Sequence, residues 1–109
     1  MRMDLSRKRC VPCEGGAKPM AEREARKYLR MTEGWRLKNS SIYRDMEFKD
    51  FAAAMRFVDK VAAAAEREGH HPDIYLHSWN RLRLTLSTHA IGGLSINDFV
   101  LASKINRIR

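Results

Sequence analysis

Nowhere in this chain of 109 residues does an apolar run approach the roughly 20 residues that a membrane-spanning helix needs. The N-terminal stretch "MRMDLSRKRC" is basic but no apolar segment follows it, so a secretory signal is not expected. The expected location is cytoplasmic, with an organelle left open in case a presequence has been removed. Only two cysteines occur, together in "CVPC" at 10–13. With no second pair, a closed zinc site of four cysteines is excluded. A thioredoxin-like redox motif would follow a strand and open a helix, whereas "VPCEGGAKP" reads as loop. Charge of one sign is in excess, at +8, but no segment concentrates it outside the "RKR" of the leader. Elsewhere basic residues alternate with acidic ones, which reads as solvated surface rather than a nucleic-acid footprint. Histidine is scarce too, with four in all.

What is present is an ordinary globular composition, 44% apolar and 31% charged, in a length that suits one domain with one modest core. Residues 1–19 hold two of the three prolines and two of the six glycines and show no periodicity, so they read as a flexible basic leader before a domain spanning 20–109. "MAEREARKYLRM" sets Ala21, Ala25, Tyr28 and Leu29 on one stripe of a first helix, weakly started for want of a capping residue and stopped by Gly34. "WRLK" and "SIYRDMEF" alternate about Asn39-Ser40, a hairpin in which Trp35 and Leu37 share a face. Phe51, Met55, Val58, Val61, Ala62 and Ala65 recur at helical spacing in a long second helix that Gly69 can end in a left-handed conformation. "LHSWNRLRLTLSTH" contains a second hairpin, with Leu82, Leu84 and Leu86 alternating and Asn80-Arg81 as its expected turn. After "GGLS", Ser95 and Asp98 have capping-box spacing, and Ile96, Phe99, Val100, Ile105 and Ile108 mark a third helix. The order predicts an α+β domain, α-β-β-α-β-β-α, with three helices packed on one face of an antiparallel sheet of two hairpins.

His70 and His71 stand side by side between Gly69 and Pro72. Adjacent imidazoles cannot share a helix face and diverge on a strand, so a common task requires a fixed bend. Gly69 and Pro72 provide one, because proline restricts the residue before it to extended conformations. His89 lies just past a strand, and His77 reads as surface.

Counting along the chain, Glu66, the "HHP" at 70–72, Trp79, His89 and Asp98 form an ordered pattern. With "GW" at 34–35, "FKDF" at 48–51, "LTLSTH" at 84–89 and "GLS" at 93–95, this pattern resembles the pterin-4a-carbinolamine dehydratases over about residues 20–107. The resemblance implies a hydro-lyase, a 4a-hydroxytetrahydrobiopterin dehydratase, removing water from a reduced pterin hydroxylated at C4a. The product is a quinonoid dihydropterin, and the task is recycling of the pterin cofactor of aromatic amino-acid hydroxylases. It implies His70 and His89 as acid–base groups and His71 chiefly as a substrate holder. Gly69, Pro72, Ser87, Thr88 and Ala90 join the expected substrate-binding set, with Trp35 and Trp79 as candidate pocket walls. Glu66 and Asp98 are candidates to orient an imidazole, Asp98 also as a helix cap. Many animal members carry an acid where this chain has Gly69, so support for His70 from that position is missing. Because the ring nitrogen itself expels the hydroxyl, neither metal nor cofactor is expected. A homodimer or homotetramer is expected, with no membrane partner and nucleic acid unfavoured. The alternative is non-catalytic binding, since animal members also act as dimerisation cofactors of a homeodomain transcription factor.

Overall fold

The computed structural model describes residues 4–11 and 18–108. Helix α1 (Glu22–Leu29) leads into strands β1 (Arg36–Lys38) and β2 (Ser41–Glu47), and the long helix α2 (Phe51–Glu68) follows. Strands β3 (Asp73–His77) and β4 (Arg81–Leu86) come next, and helix α3 (Ile96–Asn106) closes the chain. All neighbours in the sheet are antiparallel, in the order β1-β2-β4-β3. The α+β order expected from the sequence is therefore the order observed.

Pleating divides the sheet. Ile42 of β2 lies opposite Leu86 of β4, and the alternate residues Leu82, Leu84 and Leu86 are buried against the helices. Tyr43, Asp45, Arg81 and Arg83 keep some exposure on the other side, where Arg83 pairs with Asp45 at 2.7 Å and lies 4.4 Å over the Tyr43 ring. The long helix sits rotated from its expected stripe. Ala54, Val61, Ala64 and Ala65 face the core, whereas Phe51 is 53% and Met55 39% exposed and Ala62 also faces out. The alanines at 54, 64 and 65 allow close approach to the rest of the core, and Phe57 and Val58 pack against it beside them. The start of α1 has no side-chain cap, as expected, but Ala21, expected on the apolar stripe, is instead the exposed N-cap.

One loop differs from its expected form. Ser78 and Trp79, at φ 49° and 56°, make the left-handed part of the β3–β4 turn in place of Asn80-Arg81. Asn80 is buried, and its amide donates to the Phe48 carbonyl at 2.9 Å while its own carbonyl accepts from the Phe48 N–H at 2.9 Å. The tip of one hairpin is thus tied to the end of the other. Trp35 is also structural. It is 5% exposed, and its indole N–H donates to Asn106 Oδ1 at 3.0 Å at the C-terminal end of α3.

The leader was expected to be flexible, yet its described part is packed. Asp4 caps a single 3-10 turn, Leu5–Arg7, that lies along α3. Leu5 is 2% exposed within the core cluster. Lys104 donates to the Ser6 carbonyl at 2.9 Å, and the Cys10 N–H donates to Glu68 Oε1 at 2.8 Å. This strap explains why α3 is buried nearly all round, from Asn97 to Ser103 and at Ile105, since a helix apolar on every side must be covered on every side. Burial, then the charge of Glu68, pushes the Cys10 thiol up to about 12. A thiol so held is protonated at neutral pH and is a poor nucleophile. Cys13, its expected companion, lies outside the described residues. Among the described residues no helix is long and apolar enough to cross a membrane.

If the strap belongs to the core, Leu5→Ala removes buried methyls and leaves a cavity. We predict a loss of about 2–4 kcal/mol in urea denaturation. A change below about 0.5 kcal/mol would show that the segment is only laid on the surface.

Candidate active site at the histidine bend

Helix α2 ends on Gly69, whose φ of 64° is left-handed and whose N–H donates back to Ala65 and Glu66. The His70 N–H follows by donating to the Ala65 carbonyl at 3.2 Å. The chain leaves the helix within one residue, and Asp73 opens β3 directly after Pro72. On the other side, β4 ends at Leu86 and Thr88 makes a bridge with Gly93, its N–H donating to the Gly93 carbonyl at 2.8 Å. The loop so closed holds a 3-10 turn, His89–Ile91. Gly93 admits no side chain, because a Cβ there would stand 2.7 Å from Pro19 Cβ.

These two bends lie side by side, since Asp73 pairs with Thr85. Between them opens a cleft of about 280 Å³. Its lining takes Gly69, His70 and His71 from the α2 exit, Ser87, Thr88, His89 and Ala90 from the β4 exit, Asn97 from α3 and Val11 from the strap. Three of the four histidines thus reach one small cavity.

The three are held differently. His70 is mostly enclosed, its side chain 12% exposed, and its Nε2 lies 2.6 Å from Oδ1 of Asp98, which is wholly buried. The other carboxylate oxygen, Oδ2, accepts from the Thr88 hydroxyl at 2.9 Å and from the Ser95 N–H at 3.0 Å. With its one hydroxyl proton given to Asp98, Thr88 accepts from the Ser95 hydroxyl across 2.7 Å. A carboxylate with only acceptor oxygens requires the proton of His70 on Nε2, which leaves Nδ1 as the nitrogen able to exchange one. Ser95 and Asp98 also complete the capping box of α3. Asp98 is therefore both cap and imidazole partner, and it supplies the carboxylate that Gly69 cannot. His71 pairs at 3.2 Å with Glu66, both partners largely exposed at 61% and 78%. That contact is screened and weak. Glu66 thus orients His71 rather than His70. His89 begins its 3-10 turn exposed at the cleft.

Three expected members of the set lie elsewhere. Trp79 is 62% exposed in the β3–β4 turn, the far end of that hairpin from Asp73, and Trp35 is in the core beside α3. Pro72 shapes the bend without lining the cleft. Two lining residues, Val11 and Asn97, were not anticipated. No periodicity marks Val11, and Asn97 reads as an ordinary first-turn helix residue. A larger depression of about 590 Å³ lies on the outer sheet face, where His77 stacks on Tyr75 at 4.6 Å. Two of its cations are already paired, Arg83 with Asp45 at 2.7 Å and Arg81 with Glu47 at 3.9 Å, and it holds one histidine. Among the described residues, no group of three or more His, Cys, Asp or Glu side chains is gathered as a metal ion would need.

Comparison with known proteins gives the same direction. The family model described as pterin 4 alpha carbinolamine dehydratase matches residues 18–108. A mitochondrial pterin-4-alpha-carbinolamine dehydratase 2 of Arabidopsis thaliana is 43% identical over 111 residues. The match covers 97% of this chain but 59% of that longer protein. A putative pterin-4-alpha-carbinolamine dehydratase of Nitrosomonas eutropha is 42% identical over 106 residues, covering 96% of this chain and 93% of the other. The crystal structure of a transcriptional coactivator/pterin dehydratase from Brucella melitensis superposes with a TM-score of 0.76 at 34% identity, over 82% of this chain and 96% of that one.

The Asp98 network yields a prediction of its own. Asp98→Ala removes the N3 half of the α3 capping box and takes the acceptor from the Thr88 hydroxyl and the Ser95 N–H, so we predict about 2–4 kcal/mol lost in denaturant titration. The nitrogen chemical shifts of His70 should at the same time lose their bias towards the Nε2–H form. Unchanged shifts in a folded Asp98→Ala protein would contradict the assigned tautomer.

Proposed function

This chain belongs to the pterin-4a-carbinolamine dehydratase family, and we propose that it removes water from a 4a-hydroxytetrahydropterin to give the quinonoid dihydropterin. The single observation that carries this reading is the convergence of His70, His71 and His89 on one cleft, one ring backed by a buried carboxylate. The reaction needs little else. The C4a–O bond breaks as the N5 lone pair forms the C4a=N5 double bond. Hydroxide is a poor leaving group, so the C4a oxygen must receive a proton, and N5 must give one up. Atoms and electrons balance with water as the only by-product, without redox change. Two imidazoles, one from each of the bends that line the cleft, suit the two transfers, since an imidazole can carry a proton on one ring nitrogen and accept one on the other.

In this reading His70 and His89 are the acid–base pair, and His71, loosely held by Glu66, positions the ring. Asp98 fixes the His70 ring and stabilises it whenever Nδ1 takes a proton, the role a buried carboxylate gives to an imidazole partner elsewhere. Backbone groups of Ser87, Thr88 and Ala90, and the Gly69 bend, would meet the hydrogen-bonding edge of the pterin. The cellular task is recycling of the pterin cofactor of aromatic amino-acid hydroxylases, in the cytoplasm, although the Arabidopsis relative is named mitochondrial. The test is direct. With the 4a-hydroxypterin generated in situ, His70→Ala and His89→Ala should each lower kcat about 10²- to 10⁴-fold, and His71→Ala should act mainly on KM. Full activity in His70→Ala or in His89→Ala would end the mechanism.

We further propose that the protein self-associates through α2. Phe51 and Met55 are large apolar side chains left exposed on the helix surface, in line with the outward-facing Ala62. Such a stripe on a long helix is the kind of surface that a two-fold partner covers. Sedimentation should show a dimer or tetramer at micromolar concentration, and Met55→Glu should shift it to monomer. A wild-type chain that sediments as a monomer would refute the proposal.

A further inference from the structure

We propose that the N-terminal strap is part of the substrate site, with Val11 as a positioning residue whose side chain forms an apolar wall against the pterin ring. This rests on the dehydratase reading above and adds to it a segment that precedes the family match at 18–108.

Four observations carry it. First, Val11 lines the histidine cleft, and it is the only branched aliphatic side chain there among the described residues. Every other described side chain at the cleft is polar or as small as alanine, yet a flat heteroaromatic ligand needs apolar surface on its faces as well as donors on its edge. Second, Val11 is 59% exposed. Strap packing therefore does not account for its side chain, in contrast to Leu5 at 2%.

Third, its backbone is clamped. The Val11 N–H donates to Asn97 Oδ1 at 3.0 Å, and Asn97 Nδ2 donates to the Val11 carbonyl at 2.5 Å. A side-chain amide engaging both backbone groups of one residue imitates a strand partner and fixes the direction of the side chain between them. Asn97 is itself 3% exposed and so has little freedom. Fourth, the anchor points are those of the site. Asn97 adjoins Asp98, the partner of His70, and the Cys10 N–H is held by Glu68, the residue before Gly69. The strap thus bridges the α2 exit and the start of α3, the two places that determine where the His70 ring stands. Val11 has no proton to transfer, so its contribution belongs to binding rather than to the chemical step.

The experiment is a comparison of Val11→Ala, Val11→Asp, Asn97→Ala and the double variant Val11→Ala/Asn97→Ala. Steady-state dehydration of the in situ 4a-hydroxypterin is measured alongside calorimetric binding of 7,8-dihydrobiopterin, which carries no 4a hydroxyl to lose. Val11→Ala should raise KM and the dihydrobiopterin Kd about three- to tenfold, the share of a valine's apolar surface covered by ligand, with kcat within about twofold. Val11→Asp should weaken both by more than tenfold. Asn97→Ala should act in the same sense, and the double variant should be little worse than Asn97→Ala, because an unclamped Val11 has already left its place. Thermal melting checks each variant's fold, and surface-exposed Val11 keeps the test alive if Asn97→Ala does not fold.

Unchanged KM and Kd in both Val11 variants would overturn the proposal. So would effects of Val11→Ala and Asn97→Ala that simply multiply. A wild-type protein that binds dihydrobiopterin but turns nothing over would refute the dehydratase reading alone, and the binding series would still judge the strap.

Discussion

A buried carboxylate organises this molecule. Asp98 is wholly enclosed, and an ionised carboxylate removed from water is tolerated only when its oxygens are met by donors. Three meet it: the Thr88 hydroxyl, the Ser95 N–H and the His70 imidazole. They arrive from three separate places, the end of β4, the start of α3 and the end of α2. The constraint therefore reaches well beyond a helix cap. It obliges the two hairpin-and-helix halves of the chain to meet at one point, and the cleft is the surface above that point.

The same constraint ranks the histidines. The His70–Asp98 pair is short and enclosed, at 2.6 Å with one partner wholly buried. His71 and Glu66 meet at 3.2 Å in the open, where solvent screens them and side-chain entropy opposes them. One ring is consequently held in place, and its neighbour is left free to move. A bend between a left-handed glycine and a proline allows that difference, because adjacent residues there need not share an environment.

Around this centre the remaining surfaces differ in how complete they are. The strap closes the outer side of α3 and contributes Leu5 to the core. The outer face of the sheet is occupied by paired charges and stacked rings, Arg83 with Asp45 and Tyr75 with His77. The outward side of α2 has no such pairing at Phe51 and Met55, and both large apolar side chains are left exposed there.

Periodicity and short-range chemistry made much of this legible from residues alone. Alternation of Leu82, Leu84 and Leu86 marks a strand with one dry face, Gly69 marks a helix end, and Ser95 with Asp98 marks a cap, because each depends on neighbours within a few positions. The pairing of His70–His71 with His89 was legible only as an ordered pattern of residues resembling a family. Tertiary packing decided the rest. The face of α2 that turned inward followed from its fit to the rest of the core, which the alanines at 54, 64 and 65 approach closely. The turn settled on Ser78-Trp79 because Asn80 was needed at Phe48. Trp35 went to Asn106, and Trp79 was left at a hairpin tip. Leu5 and Val11 looked like parts of a tail, since a single leucine among basic residues has no period to betray it. Their places were set by what α3 lacked on its outer side, a condition that exists only once the helix is seated on the sheet.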